Sequence, residues 1–504
     1  MTTHRPAAET ATSTAAAPTA TAGTTAPPTA ETTALRTGVL GTASIAFIVV
    51  SAAAPLTVMA GVAPLALLIG GPGAPVGYLA AGLVLLLFAS GFTAMASAVP
   101  TGGGFYSYIT LGLGRPAGFA SALLALVAYN ALQIGVYGLL GVAGTTAVTT
   151  LTGASVPWWV VSLVGVLLVH LLGRRGVDVG AKVLAVLLTA ETAILVVVCA
   201  GVLAAGVVTT GQPASFSAGA VFVPGMAAVL ALAFAAYIGF ESTAIYRSEA
   251  RDPERTVPRA TVVSVAFLAA FYAAVVWVVA HAYGSEAPGF LGEHVNDLFA
   301  LAATQFVGPW AADVLVVLLV SSVFASLLAF HNACNRYARS LAVEGVLPRA
   351  LARTHPRYRS PATAGLAQTA LALVVVGGFA VAGADPYRQL LLWVNTPGGI
   401  GLLVLQTIAC AAVLRFFWRD RRGHGVLRVT VAPAVALVLL LGATVLTIAQ
   451  TDLLTAAGPE VNTVLVGLVF AVLVVGLLLS PVLARRLPEA WARLGTGRGE
   501  DEAA

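Results

Sequence analysis

Twelve runs of about 20 or more apolar residues can be drawn through this chain, and all but one of its 26 Lys and Arg residues fall on one side of them. The runs lie near 38–68, 75–99, 116–147, 156–173, 181–207, 222–247, 258–284, 309–341, 363–383, 387–417, 427–450 and 461–484. The basic residues stand at Arg5, Arg36 and Arg115 and within 174–182, 247–259, 336–359, 415–428 and 485–498, and only Arg388 breaks the pattern. The opposite gaps, such as the one with Glu286, Glu293 and Asp297 or the one with Asp452 and Glu460, hold acids and no Lys or Arg. Cytoplasmic loops are the ones that retain positive charge. The pattern therefore predicts an all-α polytopic membrane protein with about 12 transmembrane helices and both termini cytoplasmic.

Composition agrees. With 59% hydrophobic and only 9% charged residues, the chain cannot coat a soluble globule, so lipid is the solvent for most of its surface. The net charge of +5 does not imply nucleic acid, because the basic residues form short clusters at helix ends, where anionic lipid attracts them. Cys199, Cys334 and Cys410 all lie in apolar runs without metal or redox spacing and read as small buried hydrophobes. His170, His331 and His355 are expected at or beyond the cytoplasmic helix ends and His281 and His294 outside, which leaves no shared metal site. No cofactor is expected.

Residues 1–36 are Ala, Thr and Pro with scattered charge and no signal-peptide core, a disordered cytoplasmic tail. Residues 37–485 form the membrane domain, and 486–504 a short cytoplasmic tail. The first apolar run is too long for one straight crossing and holds Ser51, Ala52, Ala53, Ala54 and Pro55 at its middle. Proline suits the first turn of a new helix and pushes its predecessor out of the helical region. Two half-helices meeting near 51–55 are therefore expected. The sixth run has a comparable interruption at Tyr237, Ile238, Gly239, Phe240 and Glu241. The two breaks are five helices apart, and because five is odd the broken helices run in opposite directions, which matches two inverted five-helix repeats with a site between them.

Three stretches carry a family resemblance: Pro100-Thr101-Gly102-Gly103-Gly104-Phe105-Tyr106-Ser107-Tyr108, then Glu249-Ala250-Arg251-Asp252-Pro253-Glu254-Arg255-Thr256-Val257-Pro258-Arg259, then Asn335-Arg336 followed by Arg339, Glu344-Gly345 and Leu347-Pro348. Together they resemble the amino acid, polyamine and organocation (APC) superfamily of permeases, over roughly 38–484. The resemblance implies a 5+5 inverted-repeat core with discontinuous helices 1 and 6, two peripheral helices, and secondary transport of amino acids or related amines. The abundance of Arg over Lys, 25 to one, points to a GC-rich bacterial genome, hence to a bacterial cytoplasmic membrane. This chain departs from the family at the first break, where Ser51 is followed by three alanines in place of a Gly-Ser-Gly type run.

The residues agree on where a substrate sits. A half-helix opening at Pro55 aims the N–H groups of Leu56 and Thr57 at the midplane, favouring a carboxylate. Carbonyls near Val50 and Ser51, and those of 234–237, suit an ammonium group. Phe234, Tyr237 and Phe240 are candidates for the pocket wall and gate, since the sixth helix faces the site in the resembling family. Tyr129, Asn130, Gln133 and Tyr137 place polar groups along one face of the third helix, as substrate contacts or as interhelical hydrogen bonds. Glu191 and Glu241 are the two carboxylates deep in the membrane and the candidates for coupling to protons. Sodium is not excluded, since Ser321, Ser322 and Ser326 offer hydroxyls to an ion. A polyamine or organic amine is the alternative cargo. A non-transporting sensor is a further alternative, although neither tail resembles a signalling domain. An enzyme would need a nucleophile, base or metal constellation at one depth, and no phosphate-binding loop supports ATP as the energy source.

Overall fold

The computed structural model describes residues 35–98, 104–175, 177–206, 215–283 and 288–496. Within them the chain is built from helices. In order these are α1 (Thr42–Ala53), α2 (Pro55–Gly61), α3 (Ala63–Gly70), α4 (Ala74–Ala98), α5 (Phe105–Leu113), α6 (Arg115–Thr152), α7 (Trp158–Gly173), α8 (Val177–Ala204), α9 (Ala218–Val221) and α10 (Met226–Ala236). A 3₁₀ stretch, Phe240–Glu249, leads to α11 (Pro253–Tyr283), α12 (Pro288–Glu293), α13 (Leu298–Phe306), α14 (Pro309–Val343) and α15 (Ala362–Val381). The remainder is α16 (Val394–Phe417), α17 (Ala432–Ala449), α18 (Thr451–Thr455), α19 (Pro459–Arg486) and α20 (Pro488–Arg493). Among the described residues, eleven helical spans are long and apolar enough to cross a membrane, and the 16-residue α7 is a shorter apolar helix. The chain is an all-α polytopic membrane protein. Most of the proposed tail at 1–36 and the end of the one at 486–504 lie outside the described residues, as do Pro100 to Gly103 of the first motif.

Both interruptions fall where the sequence places them. Between α1 and α2, Ala54 takes left-handed angles (φ 47, ψ 71) and its N–H closes α1 onto the carbonyls of Val50 and Ser51. Pro55 then opens α2 from a position that needs no intrahelical donor. In the sixth run, α10 ends at Ala236, Gly239 adopts φ 113, and the chain continues as the 3₁₀ stretch. Glycine is what permits that angle.

Helix packing relies on small residues and buried polar groups, since lipid offers no hydrophobic drive between helices. α11 lies along α4, and α14 and α16 lie against α6. On the α6–α16 seam, a side chain at Gly135 would stand 3.1 Å from Asn395 Cβ. A polar knot ties α6, α14 and α15, in which Gln368 donates to Gln133 and the Gln133 amide reaches His331 Nδ1 at 3.3 Å. His331 also packs edge to face with His170, ring centroids 6.4 Å apart. His170 lies in the last turn of α7, as expected, whereas the expectation that His331 lies at a helix end is corrected, because it falls twelve residues before the end of α14 and is buried.

At the basic end of the bundle the stretch after α19 turns back onto the body. Leu494 is fully buried, the Gly495 N–H donates to both carboxylate oxygens of Glu344 at 3.1 Å, and Arg115 donates to the Ala492 carbonyl at 3.2 Å. This seat joins the segment to α14 and to the start of α6.

Candidate functional site

The two breaks touch. A Cβ built on Gly239 would stand 2.7 Å from the Cβ of Ala52, so the second interruption packs directly on the first. Ala52, Ala53 and Ala54 are 6%, 5% and 4% exposed, and in this conformation the junction is closed over. Two apolar cavities of about 450 and 480 Å³ lie elsewhere, and neither is lined by residues of the breaks.

Hydroxyl groups from neighbouring helices hold the first break. Ser326 Oγ on α14 donates to the Ala52 carbonyl at 2.8 Å, and Tyr272 Oη on α11 donates to the Ala53 carbonyl at 3.3 Å. Ser51 Oγ reaches the Leu184 carbonyl on α8 at 3.4 Å, and Thr57 Oγ1 donates to Ser322 Oγ at 3.1 Å. Each carbonyl from Val50 to Ala53 thus already accepts one hydrogen bond, and a carbonyl oxygen has two lone pairs.

Glu191 comes to the same place from α8. It is fully buried, and its carboxyl oxygens have no hydrogen-bond partner among the described residues. The groups positioned to supply one are the Ser322 hydroxyl and the Leu56 amide. Glu241 serves the second break. Its Oε1 accepts from Tyr129 Oη on α6 at 3.0 Å and its Oε2 from the Gly239 N–H at 3.1 Å. One carboxyl group therefore joins the interrupted helix to α6, while the other stands unbonded beside the first break.

The aromatic candidates divide. Tyr237 turns its hydroxyl to the Tyr78 carbonyl on α4 at 2.7 Å, and Phe240 sets its ring edge-on against Phe88 with centroids 5.9 Å apart. Phe234 is buried and Ile238 partly exposed, and a side chain at Gly399 of α16 would meet Ile238 Cδ1 at 3.3 Å. Asn130 is partly exposed, with its amide donating to the Leu126 carbonyl of its own helix at 2.7 Å. Sequence reasoning missed Tyr272. Its one signal is that it is the tyrosine in the middle of the seventh apolar run. No group of three or more metal-binding side chains occurs among the described residues.

Interrupted membrane helices meeting at buried carboxyl groups are the architecture of membrane carriers. The family model described as amino acid permease matches residues 40–478, and the chain belongs to that family. It is 26% identical over 351 residues to an uncharacterised transporter of Mycobacterium tuberculosis, covering 68% of this chain and 72% of that protein. It is 25% identical to a branched-chain amino acid permease of Lactococcus lactis, over 61% of this chain and 69% of the relative. A serine/threonine exchanger of Bacillus subtilis is 26% identical, over 58% of this chain and 66% of its own length.

Proposed function

We propose that this permease is a secondary active transporter that carries an amino acid across a bacterial cytoplasmic membrane by proton coupling or exchange. The observation that carries the reading is the meeting of the two breaks at Ala52 and Gly239 with Glu191 and Glu241 beside them. The distribution of basic residues supports a cytoplasmic position for both termini. The odd step of five helices from one break to the other supports two inverted repeats. In this reading 37–485 is the transport domain, with 1–36 and 486–504 as tails.

The substrate lies between the two breaks. Its carboxylate meets the amides of Leu56 and Thr57, and its ammonium meets the spare lone pairs of the carbonyls at Ser51 to Ala53 and of Phe234. Gly239 and Ile238 form the floor, and Asn130 borders the space. An ionised carboxylate in the membrane interior costs a few kcal/mol, so a group such as Glu191 is neutral while closed in and ionises when water reaches it. A proton loaded on one face and released on the other then links substrate movement to the proton gradient. Glu191→Gln keeps shape but cannot ionise. In liposomes it is expected to lose accumulation driven by a pH gradient while still binding substrate. Accumulation equal to the parent's would move the proton to Glu241.

A second cargo, an organic amine, is favoured by one feature: Glu191 stands beside the Leu56 amide where a substrate carboxylate would bind. Competition separates the two. An amino acid is expected to outcompete its ester and its decarboxylated amine, whereas equal competition by the amine would support the second cargo.

A further inference from the structure

The loop joining α14 to α15 is ordered by its own side chains. His355 N–H donates to the Ser360 carbonyl and Arg359 N–H to the His355 carbonyl, both at 2.8 Å. The His355 Nδ1 accepts from the amides of Arg357 and Tyr358 at 3.2 and 3.3 Å. Arg359 is held at φ 50, a left-handed conformation that is strained for a residue with a Cβ. Such strain persists only where surrounding bonds over-determine it, and it concentrates at functional positions.

This loop is fastened to the turn between α7 and α8. The buried Ser360 donates through Oγ to the Arg174 carbonyl at 2.7 Å, which joins the turn that carries Arg174 and Arg175 to the loop that carries Arg357 and Arg359. All four are exposed, and none forms an ion pair among the described residues. The two acids of these connections are already engaged, Asp178 with Arg36 at 2.9 Å and Glu344 with the Gly495 amide. The imidazole of His355 is held below the usual histidine range by its partial burial and by Arg174 and Arg357, so these two guanidinium groups act on one spot.

We infer that the α7–α8 turn and the α14–α15 loop form a binding site for the phosphate of an anionic phospholipid. Arg174, Arg175, Arg357 and Arg359 supply planar donors that suit phosphate oxygens. The adjoining surface favours a lipid over a free phosphate. α7 and α15 pack side by side, joined by Thr369 Oγ1 and His170 Nδ1 at 2.9 Å. Immediately inside the arginines they expose Leu171 and Leu366 by 56% and 58%, an apolar surface on which an acyl chain lies while its headgroup meets the loop. Topology alone asks only for positive charge, as in the α16–α17 connection, where Arg419, Arg421 and Arg422 are accompanied by Asp420.

Native mass spectrometry of the purified full-length protein in neutral detergent tests the site, with phosphatidylglycerol, cardiolipin, phosphatidylcholine and inorganic phosphate as separate probes. Phosphatidylglycerol or cardiolipin is expected to stay bound where phosphatidylcholine and phosphate do not. Each arginine near an anionic surface is worth about fivefold in binding, so Arg174→Gln with Arg357→Gln is expected to lose roughly 25-fold, and Arg419→Gln with Arg421→Gln to lose none of this selective binding. If the first double variant does not fold, Arg357→Gln alone carries the test with a loss of about fivefold. Undiminished lipid binding in the Arg174/Arg357 variants, an equal loss in the Arg419/Arg421 pair, or phosphate or phosphatidylcholine binding as strongly as the anionic lipids would overturn the inference.

Discussion

The guanidinium of Arg336 on α14 donates to both carboxylate oxygens of Glu249 at the end of the 3₁₀ stretch, Nη2 to Oε1 at 3.0 Å and Nε to Oε2, with Nη1 on the Asn332 carbonyl at 3.0 Å and the ring of Tyr246 beneath. Both residues are almost fully buried. Removing one partner strands a buried charge, and Arg336→Met is expected to destabilise the protein by about 3–5 kcal/mol. Converting Glu249 to Met as well removes the stranded charge and is expected to recover most of that loss. Thermal unfolding of the two variants in detergent decides it.

The contact between breaks predicts a sterically defined failure. Gly239→Ala places a Cβ 2.7 Å from that of Ala52 and forces a side chain to φ 113. Uptake into liposomes is expected to fall more than about tenfold, a barrier change of only about 1.4 kcal/mol, with expression retained. Adding Ala52→Gly clears the contact but not the backbone strain, so rescue is expected to be partial.

Ala54 offers the opposite change. Its left-handed conformation costs roughly 1–2 kcal/mol, against about 0.5–1 kcal/mol for the greater backbone freedom of glycine in the unfolded chain. Ala54→Gly is therefore expected to gain about 0.5–1 kcal/mol in thermal unfolding. Ala54→Val, β-branched at the same angles, is expected to lose stability.

His355 gives the α14–α15 loop a pH dependence of defined sign. Burial, then Arg174 and Arg357, lower its affinity for a proton in the folded state, and its Nδ1 must stay unprotonated to accept the two amides. The unfolded chain then binds more protons below about pH 6.5. The stabilisation is fully present above that pH and declines as pH falls towards the folded-state value. Unfolding midpoints are expected to fall from pH 7 to 5 more steeply in the parent than in His355→Asn, whose Oδ1 accepts the same amides without titrating.

Pro55 and Gly239 made both interruptions readable in advance, because each acts on the backbone through its own chemistry. Glu191 and Glu241 stood out for a similar reason, as charges set in apolar runs. Partners in space were another matter. Nothing near Tyr272 in the chain indicates that its hydroxyl meets the carbonyl of Ala53, since that meeting depends on how α11 crosses α1, and Ser326, read as offering its hydroxyl to an ion, bonds the Ala52 carbonyl itself. Spacing along the third helix grouped Tyr129, Asn130, Gln133 and Tyr137 as a polar face, yet Tyr129 bonds Glu241, Gln133 joins the knot with His331 and Gln368, and Asn130 bonds the Leu126 carbonyl of its own helix. A one-dimensional period shows which side of a helix is polar and is silent about what faces it.

The seat of Leu494 and Gly495 gives the terminal stretch a mechanical part in any cycle of opening. It grips Glu344 at the close of α14 while Arg115 at the start of α6 holds Ala492, so separating those two helices at the basic end must either drag the strand along or peel it away. Peeling exposes a leucine and leaves a carboxylate without its amide, which makes the strand a spring that resists one of the two orientations. Cut after Arg493, the permease is expected to dwell longer with its basic end open, although the attachment at Glu344 lies eighteen residues beyond Ser326, which holds the first break from the middle of α14.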